Sequence, residues 1–236
     1  MINSIKESVI FIMSDSDNSE HDSRSLDWDK AECFEDLLEL SKVSLIKGLT
    51  TPTSYLYPET NNILATESMP YMADFLKMHD LGYLTVDSQP GTIESYVDQN
   101  LSSRHFGYHC IDSQREYING LMDINQAFRI AHFLENDKDI CIVVYYDDNH
   151  CKVYNKPTSD VDEHRINLTK SEYPNCTHQF TGCCIQGCHI EKYFGSMSRI
   201  VGNVPNLVGI YFIHHKYGNS DLNARIIEAL EKTYLK

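Results

Sequence analysis

Two short polar segments hold the residue types from which a binding site is most readily built: Asp87-Ser88-Gln89-Pro90-Gly91 and Gln114-Arg115. A guanidinium offers a planar fork of donors that matches carboxylate or phosphate, and it keeps its charge when partly buried. A glutamine side chain offers donor and acceptor together, enough to read an amide or a base edge. Pro90-Gly91 favours a type II turn, which would hold Asp87, Ser88 and Gln89 at the end of a short strand through Leu84 and Val86. Strand ends carrying short polar groups are where open α/β sheets place ligands. If these segments neighbour one another in a sheet, Asp87, Ser88, Gln89, Gly91, Gln114 and Arg115 converge with His214 and Tyr217 from the loop before the last helix. The expected ligand is small, polar and anionic, of a nucleotide-derived kind. Against it stands a structural role, in which Arg115 pairs with Glu116, Asp112 or Asp87 to brace the turn.

A second constellation is rich in soft ligands. Cys176, His178, Cys183, Cys184, Cys188 and His189 lie within fourteen positions. Zinc is the cofactor such a set suits, held by Cys176, His178, Cys183, Cys188 and His189, because adjacent Cys183 and Cys184 cannot both ligate easily. The spacing lacks two C-x-x-C knuckles, so a cluster of reduced thiols is the competing reading. His105, His109, Asp147, Asp148, His150, His214 and His215 supply candidate general bases, and Ser88 is a candidate nucleophile on a turn. No H-E-x-x-H, G-x-S-x-G, Walker or G-x-G-x-x-G pattern accompanies them, so the sequence leaves open whether the protein is an enzyme.

Composition narrows the partners. A net charge of -14 over 236 residues opposes affinity for phosphate backbones and anionic bilayers, so nucleic acid and membrane are not expected partners. The same charge suits an acidic protein-interaction module that meets a basic protein partner, the alternative to ligand binding. The apolar run 9–13 is too short to span a bilayer and lacks the features of a secretion signal. The expected location is therefore cytoplasmic, with the eight cysteines as thiols.

Residues 1–25 read as a flexible acidic segment, because 14–25 offer almost no apolar surface to bury. Residues 26–236 read as one domain with a Cys/His-rich insertion around 174–190. Apolar spacing predicts a helix over 29–47, capped by Asp27 or Asp29 and stopped at Gly48, and a second from Ser68 to Gly82 with Met69, Met72, Ala73 and Leu76 on one face. Gly82 supplies the positive φ that closes it. Residues 114–122 read as a strand, and Asp123 with Gln126 as a capping box ahead of a helix burying Ile124, Ala127, Phe128, Ala131 and Leu134. Residues 140–146 form a β-branched run typical of a central strand, returning as a hairpin through 151–154. Further elements are a short strand through Ile166 and Leu168, a helix over 190–201, a buried strand over 207–213 and a closing helix over 220–235 with Leu222, Ile226, Ala229 and Leu230 inward. The fold class expected is α/β or α+β, a single mixed sheet flanked by helices.

Gly82-Tyr83-Leu84-Thr85 followed by Ser88-Gln89-Pro90-Gly91, then Gln114-Arg115, then Tyr217-Gly218 after an apolar strand, resembles an uncharacterised and mainly actinobacterial domain family. In that family a leucine-rich helix precedes the S-Q-P-G segment, a Q-R pair opens a strand, and an aromatic-Gly turn follows the final strand. The resemblance covers 29–122 and the last thirty residues, with Tyr217 where Trp is expected and Asn219 where Arg is expected. It implies a shared fold and pocket and no particular reaction.

Overall fold

The structure, a computed structural model, describes residues 31–50, 66–98, 108–147, 150–158, 160, 165–173, 176–179, 184–186 and 206–234. Helix α1 (Phe34–Thr50) is followed by a 3-10 turn (Thr66–Tyr71) that runs into α2 (Met72–Asp80). Strands β1 (Tyr83–Gln89), β2 (Thr92–Asp98) and β3 (Tyr108–Asp123) precede α3 (Ile124–Phe133) and the hairpin β4 (Ile140–Asp147) and β5 (His150–Tyr154). After β6 (Arg165–Asn167), β7 (Thr169–Tyr173), β8 (Cys176–Gln179) and β9 (Cys184–Gln186), the chain closes with β10 (Leu207–Tyr217) and α4 (Leu222–Thr233). The expected flexible segment 1–25 and the expected helix over 190–201 fall outside the described residues.

Eight strands form one sheet in the order β5-β4-β10-β3-β7-β8, with β1 and β2 also paired to β3, while β6 and β9 pair separately. Every registered pairing is antiparallel, so of the two classes expected the fold is α+β. Its spine is the 16-residue β3. One edge of β3 is lined by β1 and then β2, with Gln89 opposite Tyr117 and Thr92 opposite Gln114. These two strands run in one direction, so Pro90-Gly91 is a break in one long strand, not the tight turn that its local chemistry suggests. Proline has no N–H to give to a ladder, and the sheet tolerates it where the ladder is interrupted. On the opposite edge the partner changes at the same height: β10 pairs as far as Tyr217 with Arg115, and β7 takes over at Thr169 with Gln114.

Strand alternation decides what each face buries. Ile118 and Met122 of β3, Ile140, Ile142 and Val144 of β4, and Val208, Ile210 and Phe212 of β10 face α2, α3 and α4 in the main core. Burial of each such side chain stabilises the fold by roughly 1.5–3 kcal/mol relative to exposure. The intervening Tyr117, Cys141, Val143, Tyr145, Tyr211 and Ile213 pack on the other face with Ile166 and Leu168, and α1 sets Leu37 and Leu38 on Leu84 and Leu121. Both faces of β4 are thus covered, as its unbroken apolar run requires.

Helix ends follow local chemistry in part. Gly82 takes φ 79° after α2, as expected, and Asp123 accepts from Asn125 N at 2.9 Å and Gln126 N at 3.2 Å at the start of α3. Gln126 does not complete the box, since its amide bonds Thr233 Oγ1 at 3.2 Å. Helix α1 starts at Phe34 and passes Gly48, a tolerable cost of about 1 kcal/mol when the flanking turns pack. In α2 the inward stripe is Met72, Phe75 and Met78 with Leu76 beside it, whereas Met69 and Ala73 are exposed. Phe128 of α3 sits off the Ala127-Ile130-Ala131 stripe and is also exposed.

Candidate functional site

The three segments expected to converge do meet, at the centre of β3. Gln114 Nε2 donates to Gln89 Oε1 and to Pro90 O, both at 3.3 Å, and Gly218 N donates to Gln114 O at 2.9 Å. Gly91 lies against the turn after β10 so closely that a Cβ there would stand 1.9 Å from Asn219 O. Ser220 Oγ donates to Gly91 O at 3.3 Å. Only glycine fits this backbone crossing.

Arg115 points to the other side. Its side chain is fully buried, with Nη1 donating to Asp160 Oδ2 at 2.9 Å and Asn167 O at 2.9 Å, Nη2 to Asp160 Oδ1 at 3.4 Å, and Nε to His215 O at 3.1 Å. The Tyr217 ring packs 4.6 Å from the guanidinium carbon. Asp160 is none of the three acids anticipated as a partner. Its carboxylate also accepts from Asn167 N at 3.2 Å, so the pair ties the segment carrying β6 to the spine. The guanidinium fork is thus filled by the protein itself.

The recess at the Pro90 bend is lined by Ser88, Gln89, Glu116 and Asn223, and not by Arg115. Its volume is about 10 Å³, room for one water. Glu116 closes it from below: the side chain is buried and Oε2 accepts from Leu222 N, the first amide of α4, at 2.8 Å. Burial pushes the Glu116 carboxyl up to about 7, against the lowering effect of that amide, with Asp221 and Asp74 adding to the rise. Asp87 accepts from Tyr117 Oη at 2.9 Å, and burial of the carboxylate raises its pKa although the residue's overall surface is exposed. His214 is buried; Nδ1 accepts from Lys216 N at 3.0 Å, and Nε2 lies 2.6 Å from Asn219 Nδ2 and 3.1 Å from Asp221 Oδ1. Burial lowers its pKa, with Asp221 and Asp139 opposing. Tyr217 donates to Asn167 O at 3.4 Å, so it belongs to the Arg115 side. The bend, His214 and Arg115 therefore form a braced crossing and do not enclose one shared cavity.

A cleft of ligand size lies elsewhere, and nothing in the sequence announces it. Its walls come from α1 (Phe34, Glu35, Leu38, Glu39, Lys42), the end of α2 (His79, Asp80), Gly82, the start of α3 (Asp123, Gln126, Arg129) and Tyr234, around about 320 Å³. That falls within the range of small-molecule sites. His79 is 1 % exposed. Thr85 N donates to its Nε2 at 2.9 Å, with Thr85 Oγ1 at 3.0 Å from the same nitrogen. Nε2 is therefore an acceptor, and the proton of the neutral ring sits on Nδ1. That buried N–H has no partner among the described residues. An orphan donor of this kind costs about 1–3 kcal/mol, a cost a fold carries for a reason. Burial, reinforced by Lys42, holds the His79 pKa down at about 3, so the ring is neutral at any physiological pH. The only sequence signal is indirect: a histidine at the penultimate position of an apolar-striped helix, six residues before the threonine that fixes its tautomer.

Of the zinc set, Cys176 and His178 fall on β8 at the edge of the sheet, while Cys183, Cys188 and His189 lie outside the described residues. Among the described residues, no group of three or more His, Cys, Asp and Glu side chains is placed to hold a metal ion, and no helix is long and apolar enough to cross a membrane. Compared with known proteins, the chain matches no family model and no curated protein.

Proposed function

We infer that this chain binds a small polar ligand in the cleft between α1, the α2–β1 junction and α3. The observation that carries the reading is a cavity of about 320 Å³ whose wall sets the polar and charged Glu35, Glu39, Lys42 and Arg129 beside the apolar Phe34, Leu38 and Tyr234. The bend at Pro90 supports the reading indirectly. Its recess has room for no more than one water and the Arg115 fork is occupied, so the Ser-Gln-Pro-Gly segment acts as the joint that fixes β1, and through β1 the position of Thr85 behind His79. Kinship with the S-Q-P-G family belongs to the same proposal, supported by the meeting of its three motif segments at one point of β3.

A thermal-shift screen of polar metabolite-sized compounds tests it. A ligand at a hundredfold excess over its Kd is expected to raise Tm by roughly 5–10 °C, from about 2.7 kcal/mol of linkage at 2–4 °C per kcal/mol. Glu35→Trp, at an exposed position of the wall, should abolish the shift while the protein stays folded. Hits whose shift survives Glu35→Trp, or an absence of hits, would overturn the reading.

A further inference from the structure

We propose that Glu116 is a proton-operated catch at the joint of β3, the Pro90 bend and α4: with its proton it keeps the first turn of α4 shut on the sheet, and on losing it admits water beneath that turn. The joint shares no lining residue with the cleft, so the device stands or falls apart from the binding site.

The carboxyl sits on the spine strand at 2 % exposure, and Oε2 accepts from Leu222 N at 2.8 Å. Among the described residues no lysine or arginine pairs with it. The ionisable groups that face it come from every element at the joint except β1, which offers Ser88, Gln89 and Pro90. Helix α2 contributes Asp74, the 3-10 turn Tyr71, β3 itself Tyr117, and the approach to α4 contributes Asp221. Asp74 is tied to α4 through Asn223 Nδ2 at 3.4 Å. Asp221 is held by Arg225 Nε at 3.0 Å, with His214 Nε2 at 3.1 Å. Burial and these two carboxylates oppose ionisation of Glu116, and one amide at the start of α4 favours it. Burial wins, and the carboxyl titrates at about 7 where 4.5 is ordinary.

The recess above it, about 10 Å³, has room for one water, too little to hydrate a carboxylate in place. Hydration therefore requires the parts around the recess to separate. The β1–β3 wall is held by ladder pairing at Ser88 with Ile118 and Gln89 with Tyr117. The start of α4 is tied down only by single hydrogen bonds from Leu222 N to Glu116, Asn223 to Asp74 and Ser220 to Gly91 O, besides the packing of Leu222 in the core. It is the part that yields. Between pH 4.5 and about 7 the closed form holds the extra proton, so opening grows as pH rises through that window and levels off above it.

Amide hydrogen exchange of the full chain at pH 6 and pH 8, each rate divided by its intrinsic rate, tests this. The Leu222 amide is expected to exchange through openings more frequent than those that release the β4 core amides, and to lose about tenfold in protection from pH 6 to pH 8. Glu116→Gln keeps an acceptor for Leu222 N and cannot ionise, so its Leu222 protection should be equal at the two pH values. Asp74→Asn keeps an acceptor for Asn223 and removes a like charge. It should move the midpoint of the Glu116 carboxyl, followed by its carbon resonance, below that of wild type and shrink the tenfold change, a shift that a merely structural Glu116 would not show. This second variant keeps the test decisive should Glu116→Gln fail to fold. Leu222 protection that is the same at both pH values in wild type, exchange of that amide only as slow as the β4 core, or a midpoint unmoved by Asp74→Asn would each overturn the catch.

Discussion

The carboxylate of Asp160 meets the guanidinium of Arg115 at 2.9 Å, with both side chains fully removed from solvent. Breaking such a pair leaves an uncompensated buried charge, whereas replacing both partners by apolar groups removes the cost along with the attraction. Arg115→Met alone is expected to lose about 3–5 kcal/mol in urea denaturation, and Asp160→Leu alone a similar amount. The double variant should recover most of that loss. A double variant as unstable as either single one would show that the hydrogen bonds to His215 O and Asn167 O matter more than the ion pair.

Gly91 and Gly82 are each required by the backbone for a different reason, and alanine separates them. At Gly91 a Cβ would stand 1.9 Å from a backbone oxygen, so Gly91→Ala must push the β10–α4 turn off the strand, with a loss of about 3 kcal/mol or more. At Gly82 the nearest atom is Tyr234 Cε2 at 3.4 Å, ordinary contact, and the cost is that of φ 79°, about 1–2 kcal/mol. Chemical denaturation of the two variants checks the order.

Glu116 makes stability fall with rising pH. Its carboxyl titrates near 4.5 when exposed and at about 7 when folded, so between these values the native state binds the extra proton. Stability is therefore lost as pH rises through that window, and the loss is complete above 7. Unfolding free energies at pH 5 and pH 8 should show wild type losing about 2–3 kcal/mol more than Glu116→Gln, which keeps an acceptor for Leu222 N. Identical slopes would place the Glu116 carboxylate in contact with water.

Asp123 has two duties, as cap of α3 and as part of the cleft wall. Asp123→Ala should cost about 1 kcal/mol from the lost cap, while Asp123→Asn retains most of it. Because Asp123 also lines the cleft, Asp123→Asn should change the affinity of a thermal-shift hit while leaving the Tm of the free protein nearly unchanged.

How much of this was legible in the sequence depends on the range of each interaction. Gly82, the Asp123 cap and the β4–β5 hairpin rest on residues within a few positions of one another, and each stands where local chemistry puts it. Pro90-Gly91 misled because turn propensity is local whereas the register that makes it a strand break is set across the sheet by Tyr117 and Gln114. The partner of Arg115 is 45 residues away in a polar stretch with three closer acids to choose from, so no spacing rule selects Asp160. The cleft was invisible for a related reason: its walls come from α1, the α2–β1 junction, α3 and Tyr234, which only the packed fold brings together.

The tautomer and charge of His79 are the most direct test of the account. A two-dimensional proton–nitrogen spectrum through the ring protons should show Nδ1 protonated and Nε2 bare, unchanged between pH 5 and pH 8, with the ring resonances shifting when a ligand fills the cleft that His79 borders. A ring protonated on Nε2, or one that titrates within that interval, would contradict it.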